Sequence, residues 1–272
     1  MSIAMQLETV REFETVVMER DGGVAQLRLN RPDRMNSLIQ QVYLDMLEGL
    51  DQVAHDGTVR SLVITGTGER AFCAGGDMKL DLAVIADYGP TQLLEECKES
   101  QDMVRAIRDL AKPVIARVNG VAVGGGCDLA LCCDIVIAST NASFGEFWVR
   151  RGIIPDMGGA YLLPRLVGTH RAKELLFTGD RIDAAEAARI GLINRVVAPE
   201  SLDDEAYGMA RRLANMPTVA IGAIKELVHR EPDIDQYFET ARHALFTMTH
   251  TEDHKEGVAA FEEKREPVFR GR

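Results

Sequence analysis

Apolar and polar residues alternate over Val24-Ala25-Gln26-Leu27-Arg28-Leu29, which predicts a strand ending in the turn-forming stretch "NRPDRMNS" (residues 30–37). Beyond the turn, Leu38, Val42, Leu47, Leu50 and Val53 recur at roughly helical spacing, so a helix capped by Ser37 and running to about His55 is expected. The apolar run "SLVIT" (61–65), bounded by Gly66 and Gly68, reads as a buried strand, and residues 113–118 and 134–139 read the same way. Helical segments at residues 97–111 and 126–133 separate these strands, the pattern of an α/β core with crossover connections. From about Asp203 the pattern is helical almost throughout, so the last stretch forms an α-helical extension that folds back on the core or packs against another subunit.

The length of 272 residues fits one large domain, or one domain with an appendage. A net charge of -11 argues against nucleic-acid and anionic-membrane partners, which need a wide basic field, but leaves room for a small anionic ligand where cations cluster. The five cysteines (Cys73, Cys97, Cys127, Cys132 and Cys133) are odd in number and lack zinc-ligand spacing, which points to reduced thiols and a cytoplasmic location. No signal peptide and no membrane span are expected from the sequence. His250 and His254, four apart, could share a helix face, but without a third ligand no metal site is expected. Met103 and Met157 read as core filler or acyl-pocket lining.

Two glycine-rich stretches can bring main-chain N–H groups close to a ligand: "GTGERAFCAGGDMK" (66–79) and "NGVAVGGGCDLALCC" (119–133). The first formally satisfies G-x-G-x-x-A, yet the glycines that follow would break the helix a dinucleotide site requires. In the second, Gly124-Gly125-Gly126 leads into a helix whose free N–H groups could face an oxyanion, or simply form a tight strand-to-helix connection.

With "AFCAGGD", "VNGVAVGGGCDLALCCD", "FGE…GIIPDMGG…LPRLVG" and the ending "TEDHKEGVAAFEEKREPVF", the chain resembles the enoyl-CoA hydratase/isomerase (crotonase) superfamily from about residue 15 to its end. The resemblance implies an α/β spiral of ββα units over residues 1–202 and a C-terminal helical region over 203–272 that builds trimers or dimers of trimers. It implies an acyl-CoA thioester substrate, with CoA belonging to the substrate and no separate cofactor. By position, the family's oxyanion-hole N–H groups fall on Gly76 and Gly125. Fixed donors aimed at an enolate oxygen contribute about 3 to 4 kcal/mol each. Ala74, Gly76 and Met78 match main-chain CoA contacts, and Phe261 and Lys264 match C-terminal residues that approach CoA from a neighbouring helix. Arg34, Lys79 and Lys264 are the candidate cations for the CoA phosphates, and each also reads as an ordinary surface residue.

The resemblance places the family's first glutamate on Asp128 and its second on Trp148, whose indole cannot transfer a proton to carbon. Glu146 would share a face with Trp148 in an extended segment, as a substitute acid or as an exposed strand-end glutamate. Asp156 sits between Pro155 and Met157-Gly158-Gly159, a turn residue by composition. The "PD" turn is similar to that of single-carboxylate enoyl-CoA isomerases, in which one base shuttles a proton between two carbons. The expected activity is therefore double-bond isomerisation with Asp156 as acid/base and Asp128 as a second polar group. The alternatives are hydration using Asp128 with Asp156 or Glu146, and a non-catalytic acyl-CoA or RNA binder.

Overall fold

The computed structural model describes residues 6–79, 87–230 and 233–272. Strands β1 (Glu8–Glu12), β2 (Val16–Asp21) and β3 (Val24–Leu29) form an antiparallel meander. The chain then runs through α1 (Gln40–His55), β4 (Ser61–Gly66), β5 (Ala71–Cys73), α2 (Pro90–Asp109), β6 (Val114–Val118), β7 (Val121–Val123) and α3 (Gly125–Leu131). Next come β8 (Ile135–Ser139), β9 (Ser143–Gly145), α4 (Gly159–Val167), α5 (Thr169–Thr178), β10 (Arg181–Asp183), α6 (Ala184–Arg189) and β11 (Arg195–Val197). Four helices follow: α7 (Leu202–Ala214), α8 (Thr218–Arg230), α9 (Ile234–Thr249) and α10 (Glu252–Glu263).

The larger sheet has the order β1-β2-β3-β4-β6-β8-β11 and is parallel from β3 onward. The smaller has the order β10-β9-β7-β5, with β5, β7 and β9 parallel. Successive strand pairs β4/β5, β6/β7 and β8/β9 each place one strand in either sheet, and a helix follows each pair, which is the ββα spiral of a crotonase-like fold.

Residues of alternating parity on the large sheet enter two cores. Ala25, Leu27, Leu62, Ile64, Ala116 and Ala138 point into the main core, towards the small sheet and the helices. Val24, Val63, Ile115 and Ile137 point the other way and are covered by Leu202, Ala206, Tyr207, Ala210 and Ala214 of α7. The first helix of the C-terminal region therefore folds back on the core. Even Gln26, a polar position of the alternating strand, is buried: it donates to Glu19 and accepts from the Tyr207 hydroxyl.

Ser37 does not cap α1. The helix begins at Gln40 with Ile39 at its N-cap and no side-chain cap bond. Ser37 is instead buried, receiving Arg31 Nη1 at 3.0 Å and donating to Asp77 Oδ2 at 3.0 Å, and this polar cluster outcompetes the helix end for its hydroxyl. Nor do His250 and His254 share a helix face. His250 closes α9 as its C-cap while His254 belongs to α10, and among the described residues no cluster of three or more metal-ligating side chains occurs.

Candidate active site

The site is assembled where the spiral turns bring β5 and β7 to the same end of the small sheet. After β7, Gly124 takes φ 53° and ψ -129°, a conformation only glycine adopts readily, and this turns the chain into α3. Gly125 thereby becomes the first helical residue, whose N–H has no intrahelical acceptor. A Cβ on Gly126 would collide with the Cys73 carbonyl, so α3 seats directly against the end of β5.

The segment after β5 comes to the same place. Leu38 N donates to Gly75 O and Asp77 N donates to Leu38 O, both at 2.8 Å. In this parallel pairing the intervening Gly76 turns its own N–H away from Leu38. The Cβ position of neighbouring Gly75 lies 3.2 Å from Gly125 N, so the two predicted oxyanion donors are brought together. A Cβ on Gly125 would stand 2.8 Å from Met157 Sδ, 2.9 Å from Leu38 Cδ1 and 3.7 Å from Trp148 Cζ2. These three side chains wall the space over the donors; Leu38, an ordinary helix-period leucine in the sequence, is a lining residue that pattern reasoning missed.

The three acids differ sharply. Asp128, in the first turn of α3, is completely buried. Glu146 is 2% exposed, against the expectation of an exposed strand-end residue: it follows β9 directly and is drawn inward as the N-cap of a short 3-10 helix, Phe147–Arg151. The same helix removes the extended geometry that would have put Glu146 and Trp148 on one strand face. Both carboxyls nevertheless converge. Glu146 Oε2 lies 2.9 Å from the point where a Cβ on Gly159 would stand, and Asp128 Oδ1 lies closer still, so Gly159 is the residue whose missing side chain lets the acids meet.

All four carboxyl oxygens of this pair, together with the Trp148 indole Nε1, are buried without a hydrogen-bond partner among the described residues. Burial pushes Asp128 well above its ordinary range, and the charges of Glu146 and Asp156 push it further. Burial likewise raises Glu146 to about 7. Cys127, Trp148 and Asp128 oppose the rise at Glu146, and Trp148 opposes it at Asp128, each at a geometry short of a hydrogen bond. Helix-dipole stabilisation of an ionised Asp128 is thus outweighed by desolvation and like charge.

Asp156 occupies the turn between Gly152, at φ 71°, and Gly158, at φ 110°. It is part-buried, its charge is felt at Asp128, and the next residue, Met157, touches Gly125. Asp156 is thus a turn residue, as its composition predicts, and it stands at the edge of the acid cluster.

The predicted CoA contacts divide into two groups. Ala74 N donates to Met35 O at 3.1 Å, tying the loop that carries exposed Arg34 to the segment holding Gly76, Met78 and Lys79. Met78 is half exposed, and Arg151, a cation unnoticed in the sequence, approaches its sulfur at 3.4 Å. Phe261 and Lys264 lie elsewhere, at the end of α10; Phe261 is 86% exposed beside a groove lined by Val219, Thr251, Val258 and Phe269.

Residues 19–272 match the family model described as enoyl-CoA hydratase/isomerase. A crotonyl-CoA hydratase of Syntrophomonas wolfei is 40% identical over 259 residues, covering 94% of this chain and 98% of the relative. A 1,2-epoxyphenylacetyl-CoA isomerase of Escherichia coli is 40% identical over 264 residues, covering 96% and 100%. The solved enoyl-CoA hydratase of Bacillus anthracis superposes with a TM-score of 0.89 at 34% identity, covering 95% of this chain and 100% of that one. Sequence match and spiral agree: the chain belongs to the enoyl-CoA hydratase/isomerase family.

Proposed function

We propose that the protein shifts the double bond of an enoyl-CoA thioester, with Asp156 carrying the proton. The observation behind this reading is the division of the acids: Asp128 and Glu146 are fully or almost fully buried, while Asp156 alone of the three is part-exposed, in the turn that touches Gly125. The Asp156 carboxylate removes a proton from the carbon next to the thioester. The resulting dienolate oxygen is held by the N–H groups of Gly76 and Gly125, and the proton returns two carbons further along as the double bond moves. Trp148, Leu38 and Met157 limit water around the reacting carbons.

Hydration of a 2-enoyl-CoA is the second reading. It is favoured by the crotonyl-CoA hydratase relative and by the unpartnered oxygens of Asp128 and Glu146, which a water could satisfy. Because relatives named for a hydratase and for an isomerase are both 40% identical, overall similarity does not choose between reactions. Chromatography coupled to mass spectrometry, which separates positional isomers of equal mass, does. Offered a 3-enoyl-CoA, an isomerase moves the bond at constant mass; offered a 2-enoyl-CoA, a hydratase adds one water. Hydration without isomerisation would overturn the first reading, and binding without either would overturn both.

The CoA tail is read as lying along Arg34, Ala74, Met78 and Lys79. Exposed apolar side chains on α8 and α9, including Val228 at 66%, Leu245 at 63% and Phe246 at 70%, support assembly into a trimer or dimer of trimers. Phe261 and Lys264 would then serve a neighbouring subunit's CoA. Sedimentation velocity tests the assembly. Five free cysteines support a cytoplasmic location.

A further inference from the structure

Glu146 has no role in the one-acid scheme, yet it is buried against Asp128 with neither carboxyl satisfied. Its other side faces a small apolar void lined by Cys127, Phe144, Leu163, Leu175, Ile182 and Leu192. The titratable groups acting on the pair are Asp156 from the turn, Cys127 from α3 and Cys132 at the C-cap of that helix, all neutral or negative when they ionise. Among the described residues, no lysine, arginine or histidine acts on the pair. Two ionised carboxylates in such surroundings would repel each other with no cation to compensate, whereas one proton retained between them removes the conflict.

We propose that Glu146 is a positioning residue that keeps a proton on Asp128, so that the site enters the reaction with Asp156 as its proton-accepting carboxylate and Asp128 as a neutral acid. The benefit is electrostatic. An enolate forming at the Gly76 and Gly125 donors is itself negative, and an ionised Asp128 nearby would oppose it. The kinetic consequence rests on the acyl-CoA reading above; the protonation state does not.

Infrared difference spectroscopy on the substrate-free enzyme reads that state directly. Protein labelled with ¹³C-carboxyl aspartate should show a protonated-carboxyl stretch at about pH 7 that is lost in Asp128→Asn, and in Glu146→Gln this band should titrate away about one pH unit lower or more. Absence of the band in wild type, which requires no variant to fold, overturns the proposal. So does an Asp128 titration unmoved in Glu146→Gln. In turnover, the alkaline limb of the kcat profile should shift to lower pH in Glu146→Gln. A lower kcat with an unmoved limb means that Glu146 only fills space, and again overturns it. Failure of the isomerase reading alone would leave the infrared result standing.

Discussion

Buried carboxylates in this molecule come in two kinds. Asp45 accepts Thr15 N at 2.6 Å, Thr15 Oγ1 at 2.7 Å and Gln41 Nε2 at 2.7 Å. Asp253 accepts Arg270 N at 2.6 Å and Gly271 N at 2.8 Å, holding the C-terminal tail against α10. Asp77 takes Ser37 Oγ and the backbone N of Lys79 and pairs with Arg31. Asp128 and Glu146 are as deeply buried and have none of this. The satisfied acids join distant segments of chain, whereas the unsatisfied pair leaves its hydrogen-bonding capacity unused and a desolvation cost in the folded protein.

The largest effect expected is on turnover. Asp156→Asn should lower isomerase kcat by about 10³-fold, within the range for loss of a general base, with an unchanged circular dichroism spectrum. Retention of full activity, together with its loss in Asp128→Asn, would move the base to α3.

The unsatisfied pair should also mark the stability curve. Glu146 is raised in the folded state from its ordinary 4.5 to about 7, so the native protein binds the extra proton. Its stabilising contribution is complete below the ordinary value and is lost as pH rises through about 7. Denaturant titrations should find stability falling over that window by an amount on the order of 3 kcal/mol, and Glu146→Gln should flatten the slope.

For the satisfied class the prediction is reversed. Asp253→Ala strands two backbone donors and should cost about 2 kcal/mol in urea unfolding, with kcat per folded subunit little changed. Ser37→Ala removes one partner of an acid that keeps its others and should cost about 1 kcal/mol by the same measurement.

The strands β3, β4, β6 and β8 were legible because five or six residues are enough to show either an alternation, as in β3, or a continuous apolar run, as in the others. The small sheet was not: β5, β7, β9 and β10 are three residues each, too short for periodicity, and are fixed by pairing. Local propensity nominated Ser37 as a cap, and a tertiary partner 40 positions away in sequence, Asp77, took it. Gly76, Gly125 and Asp156 were visible through motif resemblance, and composition alone would have left them as turn residues. Glu146 carried no sequence signal of burial, because a glutamate after a three-residue strand looks solvent-facing until Gly159 opens the space beside it.

The covering of the large sheet by α7 sets an order on biosynthesis. Val24, Val63, Ile115 and Ile137 are all made by residue 137, but the helix that shields them ends only at Ala214. Until that helix has been made, one apolar face of the spiral's large sheet stands open, a transient site for aggregation of the nascent chain.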